Sequence, residues 1–216
     1  MAAPETMPTA ATTPPSTIEL RAPSKYLTDK SQPATTSNTT FVSPPLDWVC
    51  RTWSVTHSTL PMWRSAINVR ITYKPLAAPA GQATDNVDDL VEYEKKGSLK
   101  KVEGIDTPDP STPGSWNWRG KGWLKIASSH WEVLGWGERP HADGVERWVV
   151  TWFAPTLFTK EGVDIYSDRK EGLSQDTLDE VMKALKGLDA APKVVDFVSK
   201  DMLAVEIKLP WKTRGA

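Results

Sequence analysis

The sequence predicts an all-β fold: an antiparallel barrel of eight or so strands, with one α-helix near the C-terminus packed outside it. Three observations lead there. From residue 46 onward, short segments alternate apolar and polar side chains with period two, the mark of a strand with one buried face. Short loops at hairpin spacing separate these segments, which argues against helical crossovers and a parallel sheet. A single stretch, 174–187, carries a helical stripe instead.

Residues 1–45 are rich in Pro, Thr, Ser and Ala and poor in large apolar groups. Such a segment buries too little surface to offset its ordering entropy, so it is expected to be a disordered tail. The part around Ile18–Arg21 is a candidate for docking on the barrel. The barrel domain is expected over 46–209, with 210–216 as a short C-terminal tail. In the first strand, 50–60, Trp53, Val55 and His57 share one face. In 66–74, Ile67, Val69, Ile71 and Tyr73 face one way; Asn68, Arg70, Thr72 and Lys74 face the other, toward water. Residues 75–86 read as a loop.

Two short strands follow near 89–93 and 99–106, turning at Lys95-Lys-Gly-Ser98. Pro108, Pro110 and Pro113 make 107–114 a loop that no strand ladder crosses. Residues 116–126 read as one strand. Its glycines, Gly120 and Gly122, permit sharp coiling or a close approach at a barrel corner. Ser128-Ser129 is the turn into a return strand, 130–136. A further pair, 147–155 and 162–168, completes the set. The helix then runs from an N-cap at Ser174 to a terminating Gly187, with Leu178, Val181, Met182 and Leu185 on one face. A last strand is expected over 202–209.

Composition narrows the function classes. The net charge is -1 with both signs interspersed, so nucleic acid is not implied as a partner. No apolar run approaches the ~20 residues of a membrane span. The N-terminal stretch lacks the basic start and apolar core of a signal peptide, and Cys50 has no second cysteine to pair with. A cytoplasmic protein is the expectation. The oligomeric state is not legible. Tryptophan is over-represented, at 11 against 4 Tyr and 4 Phe. Bulky fillers of a small core explain part of that count, and an aromatic wall around a flat ligand explains it as well.

Two features resemble the lipocalin family. Val163-Asp-Ile-Tyr-Ser-Asp-Arg169, followed by the helix with Leu178–Leu185, is similar to the end of a lipocalin: a last barrel strand, an arginine and an outer helix. Trp53 matches the early tryptophan at the floor of such barrels. The resemblance implies a lipocalin-like (calycin) eight-stranded barrel in which Arg169 lies across Trp53 at the closed end. The sequence departs from the pattern at Arg51, where the family carries glycine, and no Thr-Asp-Tyr turn is present. In style the chain also resembles small fungal lipocalin-like proteins of secondary metabolism, some of which guide cyclisations.

The site candidates follow from the inward face. If Trp53 points inward, then Trp53, His57, Tyr73, Trp118, Trp131, Trp148 and Trp152 are the expected ligand-binding residues. His57 and His130 are the acid–base candidates, although a buried histidine is more often a hydrogen-bonded core residue. His57, His130 and His141 have no metal-ligand spacing, and no nucleophile elbow, phosphate loop or dinucleotide motif occurs, so neither metal nor cofactor is expected. Two functions lead, ahead of a partner-binding scaffold that would use exposed tryptophans and the N-terminal tail. One is binding of a small, largely apolar or aromatic molecule. The other is a cofactor-independent isomerase or cyclase acting on a bound polyene or polyketide.

Overall fold

The computed structural model describes residues 18–27, 40–77, 84–157 and 159–213. Eight antiparallel strands follow one another around a closed barrel: β1 (Thr52–Ser58), β2 (Ile67–Pro75), β3 (Val87–Lys95), β4 (Ser98–Pro108), β5 (Ser115–Gly120), β6 (Ser128–His141), β7 (Gly144–Phe153) and β8 (Gly162–Ser167). Each strand pairs with the next, and β1 pairs with both β2 and β8, so the sheet closes with no free edge between them. This is the expected lipocalin-like topology. The β3–β4 turn is tight because Lys96 and Gly97 both take positive φ, at 50° and 76°.

The interior and exterior of the barrel form separate apolar cores. Trp53, Val55, Val69, Ile71, Tyr73, Val87, Trp116, Trp131, Val133, Val149 and Tyr166 belong to the inner core. Leu134, Trp148, Val150, Trp152, Val163 and Ile165 point outward and pack under two helices, α2 (Gln175–Lys186) and α3 (Pro192–Asp201), after a short first helix, α1 (Leu46–Val49). Val181 and Leu185 of α2 are fully buried against that outer face, which is what the 3.6-residue stripe requires. The second outer helix, α3, was not among the expected elements. Pro192 opens it, and Val194 and Val198, four residues apart, are its buried pair.

Several expectations on the strands are corrected. Residues 116–126 are not one strand: β5 ends at Gly120, and Gly122–Ile126 forms a 3-10 turn. Gly122 holds φ 59°, and a Cβ on Gly120 would lie 2.4 Å from the Leu124 carbonyl oxygen, so both glycines serve the sharp corner. The last strand shrinks to β9 (Leu203–Ala204), paired with His57 and Ser58 of β1.

Described residues at both ends pack on the barrel, and at Ile18–Arg21 this is the docking for which that segment was a candidate. Residues 18–27 pack on the barrel, with Ile18, Leu20 and Ala22 in the outer core and Arg21 completely buried. Phe41 is buried as well, and 46–49 is helical rather than extended. Residues 1–17 and 28–39 lie outside the described residues. At the other end, the Lys212 amide donates to Glu94 (3.0 Å), and the Arg70 guanidinium lies 5.0 Å from the Trp211 ring centroid. Arg70, expected on a solvated face, is therefore covered by the C-terminal segment and ion-paired with Glu92 at 3.2 Å.

Candidate functional site

A cavity of about 870 Å³ opens from the barrel interior to the surface. One end is closed by α1: Trp48 packs on Trp53 (ring centroids 5.0 Å apart) and on Trp136 (4.8 Å), and the Trp53 indole donates to the Val49 carbonyl at 2.9 Å. The cation over Trp53 is Arg51, 5.6 Å from the ring centroid. Arg169 was expected in that place. It lies just beyond Ser167, the partner of Ser54, and so at the same end, but its guanidinium donates instead to Asp143 at 3.3 Å. The residue that departs from the family's glycine thus supplies the cation.

Aromatic faces make the cavity wall. Trp131 stacks between Tyr73 (5.8 Å, 18°) and Trp116 (5.8 Å, 12°). Trp118, Trp63, Phe153 and Tyr166 add further wall. A Cβ on Gly104 would meet the Trp118 indole nitrogen at 2.0 Å, so this glycine lets the ring lie flat against β4. The mouth carries exposed apolar side chains, Met62, Ile126 and Leu157.

The expected binding residues divide into four groups. Tyr73, Trp118 and Trp131 do line the cavity, and Trp53 is the floor beneath it. Trp148 and Trp152 do not: both face the outer core, Trp152 beside Tyr26 at 6.5 Å. His57 is outside as well. A β-bulge between Val55 and His57 breaks the alternation of β1, so Val55 still opposes inward-facing Tyr166, whereas His57 opposes outward-facing Ile165. Burial lowers the His57 pKa, and its Nδ1 lies 3.3 Å from the Thr56 hydroxyl. His130 stands at the rim, with Nδ1 3.0 Å from Asn117 Oδ1 and Nε2 3.5 Å from Glu132.

Sequence reasoning missed the polar part of the interior. The bulge that expels His57 turns Ser58 inward, where its hydroxyl donates to Asp164. Asp164 and Asp89 line the cavity, and Asp106 is buried next to Asp89 with the Trp131 indole donating to it at 2.8 Å. No lysine or arginine makes a direct ion pair with any of the three among the described residues. Burial pushes Asp164 up to about 7, and the Ser58 hydroxyl only partly offsets it. The Trp63 indole and Tyr166 hydroxyl lie near the same carboxylate without a well-formed hydrogen bond. Burial raises Asp106 and Asp89 too, and Asp89 is driven further by the Asp106 charge. The tyrosines Tyr73 and Tyr166 are likewise pushed far up by burial and by these carboxylates. Alternation in Val163-Asp-Ile-Tyr166 placed Asp164 and Tyr166 on one face, and that was the available signal.

Among the described residues no group of His, Cys, Asp and Glu is arranged to hold a metal ion, and no helix is long and apolar enough to cross a membrane. The sequence matches no family model and no curated protein. Solved structures do resemble it. One is lobster apocrustacyanin A1, at 12% identity and TM-score 0.43, over 74% of this chain and 78% of that one. Another is the siderocalin Ex-FABP, described as having dual ligand specificities, at 10% identity and TM-score 0.48, over 78% of this chain and 96% of that one.

Proposed function

We propose that the barrel binds one small, flat, largely apolar or aromatic molecule between its stacked rings. The observation that carries this reading is the cavity of about 870 Å³ walled by Tyr73, Trp118, Trp131 and Phe153, which lies within the ~300–1,000 Å³ of small-molecule sites. Asp89 and Asp164 face it in the interior, and further polar groups, Asn117 and His130 among them, stand at its rim, which suits a ligand with an apolar body and polar ends. The test is a titration with N-phenyl-1-naphthylamine, a neutral flat probe that the interior carboxylates do not repel. Its fluorescence should rise saturably at one site per chain, with quenching of the protein's tryptophans. Trp131→Ala should weaken binding about tenfold, roughly the ~1.4 kcal/mol expected of one lost aromatic contact. A linear, unsaturable response would overturn the reading.

A second reading is favoured by the interior carboxyls: a cofactor-independent isomerase or cyclase. Apolar binding alone has no use for three buried aspartates without a direct cation partner, because each costs desolvation energy. Titratable groups perturbed by burial and gathered in one cleft are a mark of acid–base sites. A polyene or polyketide of secondary metabolism fits such a cavity, and a cytoplasmic location fits the sequence expectations.

A further inference from the structure

We propose that the cavity carries an acid–base pair on different walls: Asp164 as base and Asp89, backed by Asp106, as proton donor, acting on a flat carbonyl compound with an activated C–H. The proposal rests on the reading that the cavity binds a small molecule.

Barrel topology separates the two groups. Asp164 lies on β8, and Asp106 on β4 is four strands away in either direction around the eight-stranded closure, which is diametrically across. Asp89 on the neighbouring β3 stands opposite Gly104 and Tyr73, both inward-facing positions. Asp89, three strands from β8 one way round and five the other, and Asp164 therefore line one cavity from different sides, and the stacked Tyr73 and Trp131 rings of the same wall offer a platform for a planar molecule. Of the groups that line the cavity, Asp89 Oδ1, the Trp63 indole nitrogen and the Tyr166 hydroxyl are buried with no hydrogen-bond partner among the described residues. Such atoms are costly when left unpaired, so a ligand with an oxygen able to accept and a proton able to leave would satisfy them.

The surroundings set the roles. Facing Asp164 are Ser58, Trp63, Tyr166 and Tyr73, with Arg64 more distant. Facing Asp89 are Asp106, Asp88, Trp118, Tyr73 and Tyr166, with Lys121 more distant. Burial and the neighbouring Asp106 and Asp88 raise the Asp89 pKa well above the usual carboxylate range, the direction a proton donor needs. Asp164 stands alone and is ionised in part near neutrality. In the step, the Asp164 carboxylate takes a proton from carbon. The C–H electron pair forms a C=C bond, and the carbonyl π pair moves to oxygen, which receives the Asp89 proton. Returning the first proton to a different carbon and the second to Asp89 completes a proton shift. Atoms and electrons balance with no oxidant, reductant or cofactor.

The test uses the full-length protein and cyclohex-3-enone, whose conversion to the conjugated ketone is followed by ultraviolet absorbance. The expected result is a rate at least tenfold above acetate at equal concentration. Its pH profile should be bell-shaped, with the rising limb near 7 and the falling limb at higher pH as Asp89 ionises. Asp164→Asn and Asp89→Asn, nearly isosteric, should each lose at least tenfold while N-phenyl-1-naphthylamine still saturates one site. Should either variant fail to fold, the wild-type profile decides: a rising limb near 4, or no alkaline fall, overturns the assignment. No acceleration with intact probe binding sinks the acid–base pair and leaves the binding reading standing. Loss of saturable probe binding in the wild type removes the premise itself.

Discussion

His57 leaves the interior because one extra residue in β1 reverses the alternation beyond Val55. The exchange is chemical as well as geometric, since an imidazole is replaced at the wall by the Ser58 hydroxyl, which holds Asp164. His57 then rests on the side of Ile165 and Ala204, away from any ligand. His57→Ala is therefore expected to leave N-phenyl-1-naphthylamine affinity within about twofold, whereas Ser58→Ala should shift the pH dependence of binding or turnover upward by removing a donor to the Asp164 carboxylate. A tenfold loss of probe affinity in His57→Ala, measured by the same titration, would return this residue to the cavity.

At the scale of elements, the anchoring of α2 depends on a residue in another strand. Ser174 occupies the N-cap, as its side chain predicts, yet its hydroxyl caps nothing in the helix. It donates to Glu146 of β7 at 2.7 Å, and Glu146 also accepts the Ser174 amide at 2.6 Å and the Thr177 hydroxyl at 2.5 Å. Burial alone would raise the Glu146 pKa, but these donors outweigh it and hold the carboxylate low. The charge also sits where the helix dipole favours an anion. Glu146→Ala should lower stability by about 2–3 kcal/mol, since it leaves buried donors unpaired beneath the helix. Urea denaturation measures it, and a change below ~0.5 kcal/mol, the level of an ordinary surface substitution, would mean that apolar packing alone seats α2.

For the whole molecule, residues 18–27 are part of the fold. Arg21 and Glu132 form an ion pair at 2.9 Å with both side chains fully buried, and Arg21 Nε donates to the Val133 carbonyl at 2.8 Å. Deleting residues 1–27 strands the Glu132 carboxylate and exposes the surface under Ile18 and Leu20. A loss of about 3–5 kcal/mol is expected, with Arg21→Ala reproducing most of it. That corresponds to a Tm drop of roughly 6–20 °C for a chain of this size. An unchanged Tm would restore the tail's expected independence. Stability should also pass through a maximum in mildly acidic solution. Asp164 is raised in the fold to about 7, so folding binds its proton more tightly than the unfolded chain does. Its contribution is complete below the ordinary carboxylate range and is lost as pH rises through 7. In Glu132, Glu138 and Glu161 burial raises the pKa, but ion pairs and hydrogen bonds outweigh it and hold each carboxylate low, so their contribution is lost as pH falls below about 4. Tm should therefore fall between pH 6 and 8, and Asp164→Asn should flatten that fall; a Tm that rises over the same interval would contradict the burial of these carboxyls.

Local pattern alone determined much of this protein. Alternation and hairpin spacing marked out the antiparallel barrel, and the stripe from Leu178 to Leu185 identified the outer helix, because burial on one side leaves a period in the sequence. In β2, Val69, Ile71 and Tyr73 were legible as the inner face on the same ground. The wall formed by β6, β7 and β8 was not, because α2 and α3 cover it from outside and both of its faces are apolar; Trp148 and Trp152 alternate as cleanly as inward residues would. A bulge has no compositional signature, so the exchange of His57 for Ser58 was invisible as well. The convergence of Asp89, Asp106 and Asp164 was settled only by closure of the barrel. Residues 75 positions apart in the chain face one cavity because β8 pairs back onto β1, and no local rule carries that information.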